Sequence, residues 1–401
     1  MDRNGWRLLV AHTITGQVVD ELPLVNVPTW ARELNTAGQL DSAQISLYPQ
    51  LADDTRQRLN EPYRWTLALV RDGWIAQAGP YYRAAPDEES RTASLSAMPM
   101  WEFLSRKRLA EYAGKEITAA DADIVFKPDS ADPANQNLAL HSVARRMVEI
   151  STTGSDQLAL PIALPDPAAG TAEYTVAAAD LKYIGDVLTD LTGLDGGPEI
   201  EFSPEFGDST QSYIRWRMRI GNTRLYQAGD PHAWDYGKAA QSFTVSVDGT
   251  DQTFYVFAKG QDARGGSGSG ALTWAFTNIT SHFGSDYALM GWPFLWTADT
   301  THLSVTDTAA MQAVANQDVI THQYPVQTAS VVVRLDGLDQ QDRPTGSPRV
   351  EDVSVGDLGM VQVRDHSWLP DGQYGVRVLR MESGPDPFSA RLTLQVLGVT
   401  S

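Results

Sequence analysis

The chain has 401 residues, of which 42% are hydrophobic and 9% aromatic, and this composition excludes an intrinsically disordered protein. With 31 basic and 50 acidic residues the net charge is −19, which argues against a protein that grips nucleic acid by neutralising phosphates. There is no Cys, so disulfides, thiolate zinc sites and cysteine nucleophiles are excluded together. A chain of this length predicts about two to four domains.

The sequence shows no membrane span and no secretory signal. The longest nearly apolar run, 158–165, is interrupted by Pro161 and is far shorter than the roughly 20 residues that cross a bilayer. The N-terminus lacks the basic start, apolar centre and small-residue cleavage site of a signal peptide. We therefore expect a protein that is made in the cytoplasm and stays there or leaves as part of a particle.

Short segments rich in β-branched and aromatic residues recur along the chain and predict β-strands. Between them, 32 Gly and 22 Pro provide frequent turns, and the residues at 71–74 and 246–250 are typical of hairpin loops. The predicted strands are 6–10, 66–71, 213–220, 243–247, 253–258, 330–335, 360–363, 375–381 and 390–396.

Helical patterns are fewer. Apolar residues at three- and four-residue spacing predict a helix over 138–150 and a second over 181–191, with Asp180 as N-cap and Gly193 as the stop. Weaker patterns predict helices over 308–317 and 98–107.

These elements together predict a mainly β, multidomain protein with an α+β insertion. We divide it into an N-terminal β-barrel-like domain (1–105), an α+β domain (106–235), a second β-rich domain (236–325) and a small C-terminal β module (326–401). A module of about 75 residues buries only a small core, so it would gain stability by packing against a neighbour.

One strand carries an unusual row of charges. Arg215, Arg217 and Arg219 alternate with apolar residues, so they share one face of a strand. Upstream, Glu199 and Glu201 alternate in the same way and could lie opposite the arginines as cross-strand ion pairs. Alternatively, the arginines form a cationic row that meets an acidic partner or lines a DNA passage, which makes them candidate interface residues.

No catalytic, cofactor or metal site is predicted. Glu199 and Glu201 could be about 7 Å apart, as glycosidase carboxylates can be, but both would have the same arginine neighbours, whereas an acid and a base need different environments. The seven His show no metal-binding spacing. The GxSxG match at 266–270 precedes a predicted strand rather than the helix that a nucleophile elbow requires.

The segment 291–296 is rich in aromatic residues and includes Trp292 and Trp296. Three interpretations stay open for these rings: packing between β layers, a subunit interface, in which Trp is enriched, or carbohydrate binding by exposed rings. We take both tryptophans as candidate interface residues.

Seven stretches, in this order along most of the chain, carry a resemblance to a known group of proteins. They are LPL at 22–24, WARELNTAG at 30–38, LPIALP at 160–165, LTGLDGGPEIEF at 191–202, WRM at 216–218, VGD at 355–357 and GVRVLRME at 375–382. Together they resemble the minor tail proteins, or tail-tip (baseplate) hub proteins, of siphophages that infect actinobacteria.

The resemblance implies a structural protein without catalytic residues, built from tube-related antiparallel β-barrel domains with α+β additions. It implies a homotrimer at the tail tip of a virion, in which two barrels per subunit form a pseudo-sixfold ring around the DNA channel. The expected partners are the distal tail protein ring, the tape-measure protein and other minor tail or receptor-binding proteins, and DNA passes without specific binding. The alternatives are a tail-associated cell-wall hydrolase and a receptor-binding or carbohydrate-binding tail protein.

Overall fold

The computed structural model describes residues 5–108, 123–152, 159–177, 180–194, 196–259, 272–276, 295–299, 308–322, 326–338, 343–344 and 348–400. The protein is mainly β, as predicted, and its strands are largely antiparallel. By contacts between residues it divides into two compact units, unit 1 (1–243 and 330–401) and unit 2 (244–329).

Each of the nine predicted strands overlaps an observed one. The strands are β1 (Trp6–His12), β2 (Val18–Leu22), β3 (Leu24–Asn26), β4 (Thr29–Glu33), β5 (Gln39–Ser46), β6 (Trp65–Arg71), β7 (Trp74–Asp87), β8 (Thr92–Ala97), β9 (Ile124–Phe126), β10 (Ile162–Ala163), β11 (Tyr174–Val176), β12 (Ile200–Phe206), β13 (Ile214–Ile220), β14 (His232–Asp235), β15 (Ala240–Asp248), β16 (Tyr255–Lys259), β17 (Leu272–Phe276), β18 (Trp296–Asp299), β19 (Val326–Arg334), β20 (Leu358–Val363), β21 (Gly372–Ser383) and β22 (Ser389–Thr400).

The four predicted helices are present with shifted ends, and a short helix at residues 53–59 was missed. The predicted N-cap Asp180 is wrong, because the helix begins after Tyr183, whereas Gly193 ends it as predicted. The described helices are α1 (Asp53–Leu59), α2 (Met100–Leu104), α3 (Leu140–Thr152), α4 (Ile184–Thr192) and α5 (Thr308–His322), with short 3₁₀ helices at Pro133–Asn135 and Val350–Asp352.

Seven of the first eight strands form what we call barrel 1. Hydrogen-bonded neighbours follow the order β3-β5-β8-β7-β6-β1-β2. Only Pro23 separates β2 from β3 along the chain, so this path closes on itself. The predicted hairpin at 71–74 is confirmed, because Arg71 pairs with Trp74. Asp72 and Gly73 take φ values of 47° and 88°, the left-handed backbone that a two-residue hairpin turn requires.

A second set of strands, barrel 2, repeats this arrangement. Its order is β15-β19-β22-β21-β20-β14, and the short turn at 236–239 joins β14 to β15. In chain order the strands of barrel 2 are β14, β15, β19, β20, β21 and β22. They take the same positions in the sheet as β1, β2/β3, β5, β6, β7 and β8, respectively, take in barrel 1. The pairing of β14 with β20 is parallel, whereas the corresponding pairing of β1 with β6 is antiparallel.

Barrel 2 therefore draws on strands that the sequence analysis assigned to three different segments. The segment 326–401 supplies β19 to β22, β15 comes from the segment 236–325, and β14 lies just before it. The predicted hairpin at 246–250 is not formed, because β15 is next to β19 while β16 pairs with β17 and β18. Local periodicity does not reveal such long-range pairing.

The two barrels share a continuous sheet. Strand β4 pairs with β5 of barrel 1 and with β21 of barrel 2, where Met381 lies opposite Arg32. At a second contact, the Trp6 Nε1 donates to the Pro387 carbonyl over 2.7 Å, and the Arg71 guanidinium lies over the rings of Trp6 and Phe388. The N-terminal and C-terminal parts of the chain thus form one structural body.

The α+β insertion packs on barrel 1. Helices α2 to α4 and the β10-β13-β12 sheet share a buried core with strands β1, β6 and β7, in which Met147, Leu188 and Trp216 are almost fully buried. The Trp216 Nε1 donates to the Ala78 carbonyl of β7. This core fixes the position of the β12–β13 hairpin, which carries the arginine row.

Unit 2 contains the three-stranded β17-β16-β18 sheet and α5. Met311, Ala315 and Val319 recur every four residues on α5 and pack against Val256 and Ala258, which alternate along β16. The buried face of the helix and the buried face of the strand thus form one small core. None of the helices in the described residues is long and apolar enough to cross a membrane.

Candidate functional site

Strands β12 and β13 form the hairpin that the alternating charges predict. Their register places Glu201 opposite Arg219 and Glu205 opposite Arg215. The cross-strand pair of Glu201 and Arg219 is therefore confirmed. The prediction for Glu199 is wrong, because this residue precedes the paired part of β12 and lies opposite none of the three arginines.

At the outer end of the hairpin, one carboxylate serves two arginines. The Arg215 Nε and the Arg217 Nη2 each lie 2.7 Å from an oxygen of Glu205. The Arg217 side chain is 57% exposed, so these pairs stay in contact with water. Glu205 was missed in the sequence, although the alternation that marks Glu201 continues to it.

At the inner end, Glu201 is buried between two arginines. The Arg32 Nη2 and the Arg219 Nη1 each lie 2.5 Å from one of its two oxygens. The side chains of Arg32 and Glu201 are both 3% exposed. Arg32 also donates to the Ser203 hydroxyl over 2.5 Å. Each oxygen of the carboxylate therefore accepts from a guanidinium, which offsets the cost of burying the charges.

Asp357, just before β20, continues the chain of charges. Its Oδ1 accepts from the Arg219 Nη2 over 3.2 Å, and its Oδ2 accepts from the Ser354 amide over 2.8 Å and lies 3.2 Å from the His232 Nε2. A carboxylate cannot donate, so the His232 Nε2 carries the hydrogen. Asp357 is almost fully buried. Its contact with Arg219 connects the β12–β13 hairpin to barrel 2.

Glu199 reaches barrel 2 independently. The Arg377 Nη1 of β21 donates to its Oε1 over 2.7 Å, and the Arg377 Nη2 contacts its Oε2. The same oxygen of Glu199 accepts from the Leu225 amide over 2.7 Å. Arg377 is buried and also donates to the Gly356 and Leu225 carbonyls.

We call this set the ion-pair network. Its members come from β4, which pairs with both barrels, from the β12–β13 hairpin and the residue before it, and from barrel 2. The members are Arg32, Glu199, Glu201, Arg219, His232, Asp357 and Arg377. Sequence reasoning missed Arg32, Asp357 and Arg377, since each lies more than a hundred residues from its partner.

The geometry does not support acid–base chemistry by Glu199 and Glu201. Both carboxylates contact guanidinium groups, and Glu201 is closed off from solvent. A glycosidase pair needs one carboxyl in an apolar environment and access for the substrate. Within the part of the chain that the structure describes, no three His, Asp or Glu side chains converge as metal ligands would.

Of the two candidate tryptophans, only Trp296 lies among the residues that the structure describes. Trp292 lies outside the described residues. Trp296 begins β18 and is 64% exposed. Its ring meets Phe257 edge-on at a centroid distance of 6.0 Å, and Phe257 lies 5.0 Å from the ring of Tyr255. Core packing is therefore not the role of Trp296 within unit 2.

No protein-family model matches the sequence, and no curated protein sequence matches it. Solved structures do match. The 43 kDa tail protein of prophage MuSo2 from Shewanella oneidensis has a TM-score of 0.53 at 10% identity, with 98% of both chains covered. The tail protein from Neisseria meningitidis MC58 has a TM-score of 0.52 at 12% identity, again with 98% of both chains covered.

A third similar structure is the prophage tail protein gp18 from Listeria monocytogenes EGD-e, with a TM-score of 0.50 at 10% identity, covering 98% of this chain and 95% of that one. At such identities the likeness concerns the fold alone. This chain therefore has the fold of prophage tail proteins over almost its whole length.

Proposed function

We propose that the protein is a structural subunit of a bacteriophage tail tip, a hub protein that forms a ring around the DNA channel. In this role it connects the tail tube and distal tail ring to the receptor-binding or central-fibre components. The observation that carries the proposal is the presence, in one chain with a tail-protein fold, of two barrels with the same strand order.

The repeated barrel gives the ring its symmetry. A homotrimer of chains with two similar barrels presents six barrels around one axis, and can match a partner ring of six subunits. The expected partners are accordingly the distal tail protein ring on one side and other minor tail proteins on the other, with the tape-measure protein in the channel. The resemblance to siphophage hub proteins supports the same assignment.

The ion-pair network suits a subunit that transmits force. Arg32 and Asp357 join β4 and barrel 2 to the β12–β13 hairpin through buried, charge-assisted hydrogen bonds with Glu201 and Arg219. Together with the β4–β21 pairing, they hold the two barrels at a fixed spacing. A ring that transmits force from receptor to tail tube needs such a rigid subunit.

Carboxylates already neutralise the three arginines of β13, so these side chains offer little positive charge for binding DNA. Arg215 and Arg219 are paired with carboxylates, and the exposed Arg217 shares Glu205 with Arg215. With a net charge of −19, the chain favours passage of DNA without specific binding. Arg217, the most exposed of the three, is the one that we assign to a subunit contact.

The protein composition of virions and the mass of the purified protein test the proposal. Mass spectrometry of purified virions should detect the chain, and multi-angle light scattering of the purified protein should give three times the monomer mass. A stable monomer that is absent from virions contradicts the proposal. Zymography on host cell wall provides the enzymatic control, in which we expect no clearing by the wild type or by Glu201→Gln.

Unit 2 favours a second candidate function, the binding of a carbohydrate receptor. The observation is Trp296, which keeps most of its indole exposed at the end of a row of aromatic rings. Sugar rings stack on such surfaces through their C–H faces. Glycan-array binding that Trp296→Ala abolishes supports this role, and binding that survives the substitution contradicts it.

A further inference from the structure

The loop between β20 and β21, residues 364–371, holds a tryptophan in the solvent. Trp368 is 77% exposed, the largest exposure among the large hydrophobic residues that the structure describes. Its neighbour Leu369 is only partly exposed. We call this segment the Trp368 loop.

The Trp368 loop is organised from within by His366. The His366 Nδ1 accepts from the amides of Trp368 and Leu369, each over 3.1 Å. Its Nε2 lies 2.9 Å from the carbonyl oxygen of Phe243. Since a carbonyl only accepts, the hydrogen is on Nε2, and this tautomer satisfies all three contacts. The His366 ring also meets Tyr236 edge-on at 5.5 Å.

Both ends of the Trp368 loop are held as well. The Asp371 Oδ1 accepts from the Asp365 amide over 2.8 Å. The Tyr374 hydroxyl donates to the Pro370 carbonyl over 2.8 Å, and burial raises the pKa of Tyr374, which keeps this donor protonated. The indole is thus presented by a fixed backbone, so little entropy is lost when it binds.

Barrel 1 shows that the loop is not needed for the fold. The corresponding connection, between β6 and β7, is the tight turn of Asp72 and Gly73. The tryptophan that follows it, Trp74, is only partly exposed and packs edge-on against the buried Trp30 of β4 at 5.5 Å. Two barrels of one strand order therefore differ at this connection, and only barrel 2 exposes its tryptophan there.

We propose that the Trp368 loop is an interface element that inserts Trp368 into an adjacent copy of this chain. The inference rests on the proposed ring. A closed ring needs a heterologous contact, in which one surface of a subunit meets a different surface of the next. The difference between the two barrels provides such asymmetry, and a rigid, exposed Trp is the residue type that dominates interface energies.

Photo-crosslinking in assembled particles tests the inference. Position 368 is replaced by p-benzoyl-phenylalanine in the full chain, and position 296, an exposed Trp of unit 2, receives the same replacement as a control. We expect irradiation to give a product of twice the chain's mass from position 368 only, whose crosslinked peptide comes from another copy. In solution, Trp368→Ala should weaken self-association at least about tenfold.

The outcomes separate this inference from the proposed function. A crosslink from position 368 to a different virion protein, or no crosslink although the chain is in the particle, overturns the inference and leaves the proposed function standing. Unchanged self-association of Trp368→Ala also overturns it. Absence of the chain from particles contradicts the proposed function itself.

Discussion

Barrel 1 and barrel 2 have the same strand order, and they differ in what is inserted between their strands. Barrel 1 connects β6 to β7 by a tight turn, whereas barrel 2 carries the Trp368 loop at that point and unit 2 between β15 and β19. The common part is a scaffold that core packing and strand pairing maintain. The parts present in one barrel alone are where we look for contacts with partners.

The largest expected effect comes from breaking the connection between the barrels. Glu201→Gln leaves the buried guanidinium of Arg32 without a counter-charge and removes one of the two carboxylates that Arg219 contacts. Loss of one partner of a buried ion pair costs about 3–5 kcal/mol, and we expect this decrease in the free energy of unfolding in urea.

The matched control is Glu205→Gln on the same strand. Its arginine partners are in contact with water, so the change should cost about 0–1 kcal/mol. Equal losses for both variants would show that the ion-pair network does not join the barrels more strongly than a surface pair does.

A second prediction concerns cooperativity. Leu8 of barrel 1 and Leu392 of barrel 2 are both fully buried, so replacing either with Ala should cost about 2–5 kcal/mol. Because β4 pairs with both barrels, we expect each variant to lower the midpoint of one shared transition in calorimetry. Two separated transitions, with only the altered barrel shifted, would show that the barrels unfold independently.

A third prediction contrasts the two tryptophans at corresponding connections. Trp74→Ala removes the contact with Trp30 and should lower stability by more than about 1 kcal/mol. Trp368→Ala removes an exposed ring and should change stability by less than about 0.5 kcal/mol. Chemical denaturation of the two variants under dissociating conditions makes the comparison, and a large loss for Trp368→Ala would indicate a role in folding.

The smallest effect is expected at the turn of the β12–β13 hairpin. Hydrogen bonds from the Thr210 and Ser212 hydroxyls lower the pKa of Asp208. A carboxyl with a lowered pKa stabilises the fold above its unfolded value of about 3.9, and that contribution is lost as the pH falls through the folded pKa. Asp208→Asn should therefore reduce the loss of melting temperature between neutral pH and about pH 3. An unchanged pH profile would contradict the assignment.

The sequence predicted what local patterns determine. Strand periods, the turn at Asp72 and Gly73 and the stop at Gly193 follow from backbone preferences of nearby residues. The pair of Glu201 and Arg219 was predicted too, because a short turn joins its strands. Arg32 and Arg377 could not be assigned, since a charged residue on a strand gives no indication of a partner more than a hundred residues away.

The duplicated barrel was suggested by the resemblance alone. Its strands come from both sides of unit 2, and no repeat of sequence marks them. Trp368 was missed for another reason. A loop residue has no periodicity, and its exposure depends on how His366 holds the backbone. Trp296 was singled out by local composition, which indicates an unusual segment without deciding its role.

The proposed role is tested most directly by a reconstruction of a phage tail tip assembled with this chain. We predict density for three copies of this chain, whose six barrels surround the channel next to the distal tail ring. A tail tip in which this fold is absent, or in which its barrels do not surround the channel, would contradict the account.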